Sequence, residues 1–80
     1  MSLHLQPVPI ATGSDDTESR LVFGDGFLVA VLVRLSEDHG AEAGLWFLEA
    51  GFGRVDDPSA PKFVDLDEAQ EWIQRRLDGH

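Results

Sequence analysis

Between Phe27 and Leu35 the chain reads FLVAVLVRL, apolar at odd and even positions alike, with Arg34 as its single charge. Valine stands at 29, 31 and 33, and Gly26 precedes the run, so its shortness and β-branched content favour a strand over a buried helix. Such a strand has two apolar sides. An antiparallel sheet with one wet face alternates apolar with polar residues, and a strand that drops the alternation needs cover on both faces.

The neighbouring segments supply the rest of a sheet. Gly24-Asp25-Gly26 separates Arg20–Phe23 from Phe27–Leu35, and glycine and aspartate tolerate the positive φ of a tight hairpin. A three-residue loop there pairs Phe23 with Phe27 and Leu21 with Val29. Ser36–Gly44 is polar and holds two glycines, which makes it a loop. Leu45–Phe52 (LWFLEAGF) reads as a third strand, and Gly53–Lys62, with Pro58 and Pro61, as a crossover.

The last element is a helix. In Asp65-Leu66-Asp67-Glu68 the first carboxylate can accept from the Glu68 backbone N–H while Glu68 reaches back, a capping box that starts a helix at Leu66. Acids crowd its beginning, Arg75 and Arg76 its end, and Gly79 suits the C′ position. Ala69, Trp72, Ile73 and Leu77 form one stripe, with Val64 placed to staple against Ala69. The expectation is an α+β fold: a three-stranded antiparallel meander in β-β-β-α order, with one C-terminal helix on one face. Residues 20–80 form the domain, and residues 1–19 an extended arm followed by a polar linker from Thr12 to Ser19. The arm, with Leu3, Leu5, Val8 and Ile10 broken by Pro7 and Pro9, reads as a frayed terminus, an edge strand or a cover for apolar surface.

Parity sorts the faces. Phe27, Val29, Val31, Val33 and Leu35 form an unbroken apolar set, as do Trp46, Leu48, Ala50 and Phe52, and the assumed turn adds Leu21 and Phe23. These sets are expected beneath the helix. The opposite face then holds Val22, Leu28, Ala30, Leu32, Leu45 and Phe47, edged by Arg20, Arg34 and Glu49. Shielding about 400 Å² of it gains on the order of 10 kcal/mol before association costs are subtracted. The covers available are a second copy stacking sheet on sheet, another protein, the folded-back arm, or the helix itself on the side taken as outer. The first is preferred, which makes Val22, Leu28, Ala30, Leu32, Arg34, Leu45, Phe47 and Glu49 the expected interaction surface.

Composition narrows the function classes. Fifteen acids against six bases give a net charge of −9, which opposes phosphate backbones and anionic lipid, so neither nucleic acid nor membrane is the expected partner. No cysteine is present, which removes thiol catalysis, disulfides and thiolate zinc sites. The stretch Met1–Ile10 lacks a basic start, and no apolar run approaches the roughly 20 residues of a membrane helix. The expected location is the cytoplasm.

Catalytic patterns are missing as well. His4, His39 and His80 have no partner at metal-ligand spacing, and Asp65-Leu66-Asp67-Glu68 has Arg76 where a calcium loop needs its bidentate glutamate. Gly51-Phe52-Gly53 lacks both a third glycine and a following helix. No serine has a base in its own segment. No catalytic, cofactor or metal residue is therefore assigned, and an enzyme is not expected.

Three antiparallel strands followed by a helix is an order similar to that of the small sheet-reading DNA-binding domains of the AP2 and integrase N-terminal type. That resemblance is topological and carries no motif. It implies a sheet rich in basic and aromatic side chains, whereas the outer face here offers only Arg20 and Arg34 among aliphatic residues. What remains is an interaction module, as a homodimer or with a protein partner. The alternative is a binder of a small apolar ligand, between sheet and arm or helix, with Trp46 and Trp72 as walls.

Overall fold

The computed structural model describes residues 2–9, 11 and 18–79. Its strands are β1 (Leu3–Pro9), β2 (Glu18–Gly24), β3 (Phe27–Arg34) and β4 (Trp46–Gly51), and its α-helix is α1 (Leu66–Leu77). Short 3-10 segments cover Glu37–Glu42 and Gly53–Val55. The strands form one antiparallel sheet in the order β1-β2-β3-β4.

The α+β class, the antiparallel sheet and the C-terminal helix agree with the sequence reading, but the sheet has four strands rather than three. The fourth is the N-terminal arm, paired with β2 from Leu3↔Gly24 to Pro9↔Glu18. Prolines at 7 and 9 disguise it in sequence and also fit its place, since a proline is tolerated on an edge strand. Of the arm and linker, Met1, Ile10 and residues 12–17 lie outside the described residues, as does His80.

The hairpin turn is tighter than expected. Asp25 (φ 50°) and Gly26 (φ 90°) form a two-residue turn with positive φ at both positions, and Gly24 pairs with Phe27. This geometry matches the right-handed twist of the flanking strands. Phe23 therefore faces Leu28, not Phe27. The register then shifts: Val22 pairs with Ala30, leaving Val29 as an extra residue, a β-bulge. A second irregularity separates Val31↔Ala50 from Leu32↔Leu48 and leaves Glu49 as the extra residue of β4.

These two shifts decide where the core lies. Val29 and Ala30, adjacent in sequence, both enter one buried cluster with Val22, Leu32, Trp46, Val55, Phe63, Ala69 and Ile73. Beyond the bulge the alternation of β3 is reversed relative to an unbroken strand. The helix consequently packs over Val22, Ala30 and Leu32, the side taken as outer from simple parity.

The approach to α1 is set by Phe63, whose backbone exchanges two hydrogen bonds of 2.8 Å with Trp46. Its side chain is buried, with the ring centroid 5.6 Å from that of Trp72. This turns Val64 outward, where it is exposed, so the expected staple onto Ala69 is not made. The cap is present: the Asp65 carboxylate accepts from the Glu68 N–H at 2.8 Å. Ala69 and Ile73 are buried, Trp72 and Leu77 pack against the cluster, and Gly79 has the positive φ of a C′ residue.

Candidate interaction surface

Register identifies the face opposite the helix. Residues directly paired across antiparallel strands share a side, so the Val22–Ala30 and Leu32–Leu48 pairs mark the helix side and their sequence neighbours the other. Leu21 pairs with Val31, Phe23 with Leu28, Val33 with Phe47, and Val31 with Ala50. Extended Phe52 follows two residues after Ala50 on the same side, its N–H donating to the Val29 carbonyl at 3.0 Å. At the β1 edge, His4 and Gln6 pair with Phe23 and Leu21.

The expected surface is thus partly corrected. Val22, Ala30 and Leu32 have no exposure at all and form the floor beneath α1. The cause is local: the two-residue turn and the Val29 bulge move them to the helix side, and neither shift is visible to a parity count. Arg34, opposite Trp46, also belongs to the helix side and pairs with Glu18 at 3.5 Å. Leu45 lies just before β4, half-buried, with its carbonyl accepting from the Leu35 N–H. Leu28, Phe47 and Glu49 are exposed. Leu21, Phe23, Val31, Val33, Ala50 and Phe52 belong to the open face, where simple parity expects them beneath the helix.

This surface is apolar and nearly uncharged. Leu28 is 38% exposed, Phe47 37% and Phe52 49%, while Leu21, Phe23 and Val31 are half-buried. Glu49 and His4 stand at its two edges, on β4 and β1. Five of the acids, Asp65, Asp67, Glu68, Glu71 and Asp78, belong to α1 and its caps on the far side of the sheet.

The sheet edges are poor docking points by comparison. On β1 the prolines at 7 and 9 remove donors, and at β4 the Trp46 backbone is already paired with Phe63 while the Glu49 bulge interrupts the ladder. These are recognised ways of blunting an edge against another chain.

Arg20 and Arg76 are engaged on the helix side. Arg20 lies 5.2 Å from the Trp46 ring centroid and 3.4 Å from the Glu18 carboxylate, and Arg76 lies over Trp72 while reaching Asp57 at 3.6 Å. Exposed pairs of this kind contribute at most about 1 kcal/mol each. A shallow cleft of about 430 Å³ runs beside Pro7, Val8, Pro9, Glu18, Ser19 and Arg20. Neither Trp46 nor Trp72 is among its walls; both pack with the core cluster. Among the described residues no group of three histidine, aspartate or glutamate side chains converges to hold a metal ion, and no helix is long and apolar enough to cross a membrane. Comparison with protein families, with curated proteins and with solved structures finds no match.

Proposed function

We propose that the protein is a non-catalytic interaction module that self-associates, two copies stacking through the open face of the sheet. The observation that carries this reading is the exposure of Leu28, Phe47 and Phe52 on a face that is apolar along β2 and β3, with His4, Gln6 and Glu49 toward its edges, while the helix occupies the other side. A cytoplasmic setting accompanies it.

Size and charge both bear on a second copy as the cover. Four strands about 4.8 Å apart and seven residues rising about 3.3 Å each give a face of roughly 19 by 23 Å. Two such faces bury at most roughly 900 Å², and less because Ser19 and Val33 have almost no exposure, which puts the contact in the weak, transient class. A two-fold contact sets like surface on like surface, and this one has no central charge to repel its copy. Five acids belong to α1 and its caps on the far side of the sheet, and repulsion between exposed charges of the −9 chains is screened over about 8 Å at physiological salt.

Sedimentation equilibrium from about 1 to 500 µM tests the proposal. The expected mass rises with concentration from 8.8 kDa toward twice that value, and Val31→Asp, which sets a charge at the centre of the face, holds the folded chain at the monomer mass. A wild-type chain that stays monomeric over the whole range contradicts it.

A further inference from the structure

We infer that the two copies stack with their two-fold axis running along the strands, so that β1 of each lies over β4 of the other. The inference rests on the self-association proposed above and fixes which strand of one copy faces which strand of the second.

The register sorts the open face into three rows that cross the sheet. The row nearest the β2–β3 turn holds His4, Phe23, Leu28 and Phe52. Gln6, Leu21, Val31 and Ala50 make the middle row. The far row runs from Val8 through Ser19 and Val33 to Phe47. The His4 and Phe23 rings lie tilted with centroids 6.4 Å apart, which places the imidazole on this face.

Aligned sheets that stack face to face keep their strand directions within about 30° of one another. A two-fold axis in the contact plane therefore runs nearly along the strands or nearly across them. The lengthwise axis lays every row on its own copy in reverse order. The crosswise axis lays the turn row on the far row, and the middle row on itself residue for residue.

Exposure favours the lengthwise axis. His4, Leu28 and Phe52 are exposed, whereas Ser19 and Val33 retain 0% and 2% of their surface. The lengthwise axis sets the exposed turn row against itself, with Phe52 facing the partner's His4 and Phe23 facing the partner's Leu28. The crosswise axis would spend Phe23 and Leu28 on Ser19 and Val33, which have almost no surface to offer.

Size and charge agree. Lengthwise, the long Gln6 side chain meets the single methyl group of Ala50, a large-on-small fit of the kind that close packing requires. Crosswise, Gln6 meets Gln6 at one rim and Ala50 meets Ala50 at the other, which crowds the first and leaves the second hollow. Glu49 stands at the β4 rim. The lengthwise axis brings it toward the Gln6 amide and the His4 imidazole of the second copy, whereas the crosswise axis brings two Glu49 carboxylates together. Like charges set against each other across a contact disfavour that arrangement.

A nitroxide label tests the orientation. The sequence has no cysteine, so a single label can be attached at a chosen rim residue. Isotope-labelled wild-type chain is mixed at millimolar concentration with unlabelled Gln6→Cys carrying the nitroxide, and in a second sample with unlabelled Glu49→Cys carrying it. The label at position 6 is expected to weaken the amide signals of Ala50, Gly51 and Phe52 more than those of His4, Leu5 and Gln6, and the label at position 49 to do the reverse. On unmodified chains, isotope-filtered spectra are expected to show cross-peaks between the Phe52 and His4 rings and none between Ala50 methyl groups. Signal loss on the same rim as the label, or Ala50–Ala50 cross-peaks, overturns the inference and leaves self-association standing. A wild-type chain that stays monomeric and shows no intermolecular loss removes both.

Discussion

A Cβ added to Gly51 would stand 2.5 Å from the carbonyl oxygen of Val55. The glycine ends β4 on the helix side, paired with Ala30, and the 3-10 turn folds back over it, with Val55 fully buried. The obstacle is backbone and cannot swing aside. Gly51→Ala is therefore expected to destabilise the fold by about 1–3 kcal/mol through overpacking. Urea unfolding measures it, and a loss under about 0.5 kcal/mol means the turn is not held over Gly51.

Gly26 makes a different demand. A Cβ there meets nothing within 4 Å, but φ is +90°, so the cost of Gly26→Ala is conformational and amounts to about 1–2 kcal/mol. Replacing the pair Asp25-Gly26 with Asn-Gly, which also favours this turn, is expected to leave stability within about 0.5 kcal/mol of wild type. A large loss from that exchange would show that the Asp25 carboxylate contact with Ser2 matters more than the turn.

Charge scanning separates the two faces. Leu32→Asp places a carboxylate among Val22, Trp46 and Ile73 in the fully buried cluster and is expected to abolish folding, since an unpaired buried charge costs several kcal/mol or more. Val31→Asp, one residue away on the open face, is expected to keep the circular dichroism of a folded chain while blocking association. If both variants unfold alike, the faces are not distinct.

Asp65 caps α1 through its bond to the Glu68 N–H, and Asp65→Ala is expected to cost about 1 kcal/mol. Thermal unfolding reads this as a drop of roughly 4–8 °C. The same measurement on Val64→Ala is expected to show almost no change, because that side chain is exposed and makes no staple.

Much of the fold was legible because it is written in local chemistry. The capping residue, the charge order and the apolar stripe of α1 locate the helix from Leu66 onward, and Gly24-Asp25-Gly26 locates the hairpin. The arm was harder to read, since Pro7 and Pro9 weaken any strand signal and only pairing with β2 reveals its role. The faces were misassigned for a reason of the same kind. Asp-Gly favours a two-residue turn, which already pairs Phe23 with Leu28, but the bulge at Val29 arises from fitting β2 and β3 to one twisted sheet and has no mark in the sequence. One inserted residue reverses every side chain beyond it. Phe47 lies on the open face, as parity places it, whereas Leu32 lies beneath the helix.

The central claim is that a second copy lies against the face bearing Leu28, Val31 and Phe47 while α1 lies against Leu32. Isotope-filtered nuclear Overhauser spectroscopy on a millimolar mixture of labelled and unlabelled chains tests it most directly. Intermolecular cross-peaks to the Leu28 and Val31 methyl groups, with none to Leu32 or Ile73, are the predicted result. Cross-peaks confined to helix-side residues, or none at all at that concentration, would contradict it.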